Sequence, residues 1–201
     1  MLKMNFIFKI FIIFLSISLN AQQRRSADYY AQIPEKIENE QEIRIYKDFS
    51  LTNGGKIFRI YFKNNKCNAE LISWFFPTQT SSDEYNSENP EVTKFQCSDK
   101  TFMNFEIRNI QYLPKEEYFK YKKENKTIVL NDDTKEYEIE IRQSLVMDGV
   151  GYNVKYKNGK IFNQFYYSNP KTYSENYPEI DELQNFMEIL KYIESEFKIK
   201  F

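Results

Sequence analysis

Apolar residues recur at every second position along most of this chain and then, beyond Pro178, at every third or fourth. Period two belongs to strands with one face buried, and a three-to-four spacing belongs to an amphipathic helix. Strands come first and a helix closes the chain, with no regular alternation of strand and helix. That order predicts an α+β fold: a mostly antiparallel β-sheet, a short mid-chain helix, and a C-terminal amphipathic helix packed on the sheet.

The individual signals follow the same rule. Ile43 and Ile45 alternate in one run, and Phe58, Ile60 and Phe62 in the next, with Thr52 to Gly55 as the turn between them. Asn64-Asn65 reads as a hairpin turn because Asn tolerates positive φ. The run after Cys67 is apolar on both faces, Ala69, Leu71 and Phe75 against Ile72, Trp74 and Phe76, which marks a central strand. Thr78 to Glu91 reads as a solvated loop, followed by a short strand at 92–97. Phe105 and Ile107 suggest another strand over 102–110, and Pro114 with Glu116 and Glu117 suggests a helix start running to about Glu124. Thr127 to Leu130 and Tyr137 to Met147 form a hairpin around Asn131-Asp132-Asp133-Thr134, with a further turn at Asp148-Gly149. Glu136, Glu138 and Glu140 alternate with Tyr137, Ile139 and Ile141, which places the carboxylates on the wet face of a strand. A second hairpin, 152–167, centres on Asn158-Gly159, a type I′ pair. Asn169-Pro170 then breaks the sheet, and a tyrosine-rich connector leads to the final stripe of Ile180, Leu183, Met187, Leu190 and Phe197.

The first residues address the chain. Lys3 and Lys9 make a basic start before a short apolar core, Ile10 to Leu19, and Ala21-Gln22 offers a cleavage point, so residues 1–21 read as a secretory signal peptide. As a helix that core rises only ~15 Å, about half of a bilayer's hydrocarbon thickness. Cleavage leaves no membrane span and places the protein in the periplasm or outside the cell. Residues 22–41 form a polar lead-in and 42–201 one α+β domain. The whole chain balances 28 basic against 29 acidic residues. Losing Lys3 and Lys9 takes the net charge from -1 to -3. No basic footprint for nucleic acid or for an anionic membrane results. An oxidising compartment favours a disulfide between the only two cysteines, Cys67 and Cys97.

The chain has no histidine. That count removes Ser-His-Asp and Cys-His catalysis, His-ligated zinc, and the two-His-one-carboxylate iron site. No phosphate-binding or dinucleotide motif occurs, and no cofactor or metal is implied. Carboxylate-pair catalysis survives, yet the best acidic cluster, Asp132-Asp133, lies in a turn without the spacing of a calcium loop. Chemistry of another kind gathers in the connector. Tyr166, Tyr167, Tyr173 and Tyr177, with Trp74 elsewhere, are candidates for an aromatic interaction surface, because a flat apolar ring ending in a polar tip suits interfaces. The competing reading makes these rings staples between sheet and final helix.

Asp148-Gly149 with Tyr152, Tyr167-Ser168-Asn169-Pro170, Tyr177-Pro178 and Phe197-Lys198-Ile199 together resemble segments of uncharacterised exported proteins of Gram-negative bacteria, a likeness that carries no activity. The expectation is therefore a non-enzymatic binding or interaction module of the cell envelope, with a protein or glycan partner. A carboxylate-dependent hydrolase acting on a glycan or cell-wall substrate is the alternative, and it requires two carboxyl groups converging on one cleft.

Overall fold

The computed structural model describes residues 25–49, 52–79, 85–86, 88–147 and 149–201. The leader with its cleavage point, the Ser82-Asp83-Glu84 segment and Asp148 lie outside the described residues. Helix α1 (Ala27–Tyr30) precedes strands β1 (Gln41–Phe49), β2 (Gly54–Lys63) and β3 (Lys66–Phe75). Two-residue strands β4 (Thr78–Gln79) and β5 (Tyr85–Asn86) pair with each other, and β6 (Glu91–Phe95) leads into helix α2 (Asp99–Ile107). Two 3₁₀ turns, Glu116–Tyr118 and Lys120–Lys123, reach the hairpin of β7 (Glu124–Leu130) and β8 (Tyr137–Gln143). The hairpin of β9 (Val150–Asn158) and β10 (Ile161–Ser168), helix α3 (Pro170–Asn176) and helix α4 (Asp181–Phe197) complete the chain.

The main sheet has six strands in the order β10-β9-β1-β2-β3-β6, with antiparallel pairing at every step. The mostly antiparallel α+β architecture expected from the periodicity is therefore present. Asn64 and Asn65 both take positive φ, 53° and 56°, as a type I′ turn demands. At the β9–β10 turn the register differs by one residue from expectation. Ile161 pairs with Asn158, so Gly159 and Lys160 close the turn, and only Gly159 has positive φ. Its missing Cβ places it at the first turn position, where a II′ geometry needs it.

Three segments differ from the sequence reading. Residues 102–110 are not a strand: Phe102 and Phe105 fit a helical three-residue step as well as Phe105 and Ile107 fit a strand. A capping box decides for the helix, with Ser98 N–H donating to the Thr101 hydroxyl at 3.1 Å. The expected helix over 113–124 is replaced by the two 3₁₀ turns, which present too few apolar positions to propagate an α-helix. The tyrosine-rich connector gains a helix, α3. Asn169 turns the chain in a left-handed conformation, φ 46°, and Pro170 starts that helix.

One face of the sheet carries the main core. Ile43, Ile45, Phe58, Ile60, Val154 and Phe165 meet Phe102 and Phe105 of α2 and Leu183, Phe186, Ile189 and Ile193 of α4. Phe201 fills the end of this layer against Phe58 and Tyr152. The disulfide Cys67–Cys97 joins the start of β3 to the entry of α2, with Cα atoms 5.5 Å apart. Closing a loop with a sequence separation of 30 residues stabilises by roughly 3–4 kcal/mol in the chain-entropy model. The opposite face buries a smaller cluster of Tyr46, Ile57, Ile72 and Trp74 under Ala31, Tyr30 and Ile33 of the N-terminal segment. That segment, residues 25–37, lies as a strap over the second face, touching β1, β3 and β9.

Candidate functional site

The strap is held by charges that the alternation pattern assigns to solvent. Glu42 and Arg44 of β1, Arg59 of β2 and Glu70 of β3 share the second face, and all four are buried. Arg44 donates to Glu42 at 2.5 Å and to Asp28 of α1 at 3.2 Å, and it also binds the carbonyls of Pro34 and Lys36. Arg59 bridges Glu42 at 2.7 Å and Glu70 at 3.0 Å. Asp28 accepts from the Tyr46 hydroxyl at 2.6 Å and pairs with Lys155 at 3.0 Å. Three acids meet three bases here, so the layer is neutral. Burial alone would raise the Glu42 carboxyl, but hydrogen bonds from Arg59 and Arg44 outweigh it and hold the group below the usual carboxylate range.

Beyond the strap, the described residues leave the face formed by β9 and β10 open, with Phe162 and Tyr166 exposed. The register places three cross-strand rows there: Phe162 with Lys157, Gln164 with Lys155, and Tyr166 with Asn153. A hollow of about 780 Å³ is lined by Asn153, Phe162, Gln164 and Tyr166, with Lys115, Glu116 and Glu117 at the β10 edge. A second hollow of about 500 Å³ shares Phe162 and Gln164 and runs to Lys36, Lys155, Lys157 and Lys160, with Glu35 as its acid. Together they form one groove with aromatic rings, two amides and a basic end. Among the described residues no side-chain group bonds the amides of Asn153 or Gln164.

Gly151 makes room for Tyr166. A Cβ on Gly151 would stand 2.4 Å from the Tyr166 hydroxyl, so only glycine lets the ring lie across β9. Burial, then the nearby charges of Asp48 and Glu116, raise the phenol above its ordinary value. Glu116 itself is engaged: it accepts from the Ser168 N–H at 2.8 Å and hydroxyl at 3.0 Å, and pairs with Lys123.

The aromatic candidates part company. Tyr166 is 49% exposed and lines the groove. Tyr167 is fully buried, with its hydroxyl donating to the Pro114 carbonyl at 2.9 Å. Tyr173 is buried beneath Lys123 and donates to the Ser144 carbonyl at 3.2 Å, while Tyr177 is half-buried beside it. Trp74 stacks on Tyr30 at 5.8 Å in the second-face cluster. Phe162, Gln164 and Asn153, which sequence reasoning passed over, stand with Tyr166 instead. Their signal was the shared parity of 162, 164 and 166 on one arm of a hairpin.

A second surface lies on the β7–β8 hairpin. Leu130 pairs with Tyr137, Ile128 with Ile139, and Lys126 with Ile141, so these residues share one face. Glu138, Glu140 and Arg142 occupy the other. The acidic face is wet as expected, but the apolar face is wet too: Ile128 is 75% exposed, Tyr137 77% and Ile139 68%. Asn131 closes the turn through its side-chain oxygen, which accepts from the Asp133 N–H at 2.9 Å.

Among the described residues no helix is long and apolar enough to cross a membrane, and no group of three or more Asp, Glu, Cys or His could hold a metal ion. Comparison with protein-family models, curated proteins and solved structures finds no match for this chain.

Proposed function

We propose that this is an exported, non-enzymatic binding module of the cell envelope that holds a glycan in the β9–β10 groove. The observation that carries the reading is the pairing of two exposed rings, Phe162 and Tyr166, with two amides, Asn153 and Gln164, that have no bonding partner among the described residues, all on one sheet face. Rings stack on the apolar faces of sugars, and amides donate to and accept from hydroxyls at once. The lysines at the far end favour a glycan with acidic substituents. Export rests on the basic start, the short apolar core and Ala21, in keeping with the Cys67–Cys97 bond.

A hydrolase needs two free carboxyl groups facing one hollow. Glu116, Glu117 and Glu35 line the groove, but Glu116 is held by Lys123 and Ser168 and Glu35 accepts from the Ser26 hydroxyl at 2.6 Å, which argues for binding rather than hydrolysis. Titration of soluble acidic envelope glycans into the purified chain, followed by calorimetry, tests the proposal. Phe162→Ala and Tyr166→Ala should each weaken binding by about 5- to 30-fold, the effect of ~1–2 kcal/mol per ring. Melting should stay unchanged. Binding that ignores both substitutions, or no glycan bound at all, would remove the groove from consideration.

A further inference from the structure

Among the described residues nothing covers the apolar face of the β7–β8 hairpin, and we infer that a second copy of the chain covers it. This goes beyond the groove and rests on a different surface. An isolated two-stranded hairpin is at best marginal in water and needs a partner layer for its apolar face. Among the described residues the hairpin pairs with no strand of the main sheet, and its apolar side chains stay exposed.

The size of the face suits a self-association. Five apolar side chains at roughly 130 Å² apiece make about 650 Å² per copy, so face-to-face stacking removes about 1,300 Å² in total, within the range of standard interfaces. The shape suits it as well. Ile128 and Ile139 lie at the middle of the face, with Leu130 and Tyr137 at the tip and Lys126 with Ile141 towards the base. A two-fold axis across the strands lays tip over base at a separation of ~10 Å, the spacing of packed sheets. Isoleucines then meet isoleucines, and Lys126 comes within reach of the Tyr137 ring of the second copy, a cation–π contact. The hairpin span 124–143 sets Lys126, Lys135 and Arg142 against six acids, a net charge of -3. That sign opposes docking on an anionic bilayer. In the stacked pair the acidic faces point outward, where salt screens them from each other.

Sedimentation equilibrium of the purified full chain over ~1–100 µM provides the test, since interfaces of this size reach micromolar affinity. The expected result is a dimer that Ile139→Glu weakens by at least ~100-fold, as loss of a central anchor does. Glu138→Lys on the opposite face and Phe162→Ala in the groove should leave the dimer intact, which separates this inference from the glycan reading. Hydrogen exchange of the unsubstituted chain gives a second reading, with amides at 126–130 and 137–141 better protected at high than at low concentration. A chain that stays monomeric throughout, exchange independent of concentration, or a dimer indifferent to Ile139→Glu overturns the inference. A monomer that binds phosphatidylglycerol vesicles overturns it too and reassigns the face to lipid.

Discussion

Replacing Arg44 by Met should loosen the strap and lower the stability of the whole molecule. The Arg44 side chain has no solvent exposure, and it binds two carboxylates and two main-chain carbonyls. Met retains most of the aliphatic volume, so the loss falls on charge and hydrogen bonding rather than on a cavity. Breaking a buried ion pair from one side costs ~3–5 kcal/mol because the partner charge stays behind unpaired. Here Glu42 keeps Arg59 and Asn39, and Asp28 keeps Tyr46 and Lys155. The lower half of that range, about 3–4 kcal/mol, is therefore expected. For a chain of this size that lowers Tm by about 10 °C. Differential scanning calorimetry at pH 7 reads the shift, and limited proteolysis around Pro34 reports release of the strap. The double substitution Arg44→Met with Glu42→Met should recover part of the loss, since a buried pair exchanged for apolar groups is often tolerated. A Tm drop below about 3 °C with an intact strap would show that the buried charges contribute little beyond the apolar cluster beside them.

Acid should act on the same layer. With the Glu42 carboxyl held below its ordinary range, its contribution is present above the unfolded value of ~4.3 and is lost as pH falls through the lower folded value. Tm should hold from pH 7 to about 5 and drop below about 4, and a curve flat to pH 3 would contradict the coupling. In the connector, Tyr173→Ala removes a buried ring and its bond to the Ser144 carbonyl, so Tm measured by circular dichroism should fall by the equivalent of ~3 kcal/mol. Tyr166→Ala should leave that midpoint nearly unmoved, and equal effects at the two positions would erase the distinction between staple and surface.

Local turn chemistry and period carried most of the architecture. Asn64-Asn65 and the turn at Asn131 are specified by residues a few positions apart, and the stripe of the closing helix needs no tertiary help to be read. Phe102 to Ile107 was ambiguous because Phe102 and Phe105 fit a helical step while Phe105 and Ile107 fit a strand step, and the Ser98-Thr101 cap that breaks the tie starts before the segment. The strap was illegible for a different reason. Glu42, Arg44, Arg59 and Glu70 alternate as solvent-facing residues do, and only the arrival of Asp28 from outside the sheet makes them interior. The groove falls between these cases. Parity puts Phe162, Gln164 and Tyr166 together, but nothing along the chain tells which sheet face the strap leaves bare. Likewise Tyr137, Ile139 and Ile141 look like core residues, since a sequence pattern states which side chains cluster and not whether the cluster finds a cover within the same chain.

The strand order has a kinetic consequence. β1 lies between β2, its immediate successor, and β9, so Gln41 meets Asn158 across 117 residues. Asp28 waits still longer, 127 residues, for Lys155. Contacts this distant in sequence slow folding, because the chain must lose the entropy of a long loop before the pairing repays it. A nascent chain leaving the ribosome can zip β1 to β3 early, yet the sheet stays open until four-fifths of the molecule exists. For a protein proposed to cross a membrane before it folds, that delay keeps the polypeptide threadable and postpones closure to the far side, where its two thiols can also be oxidised.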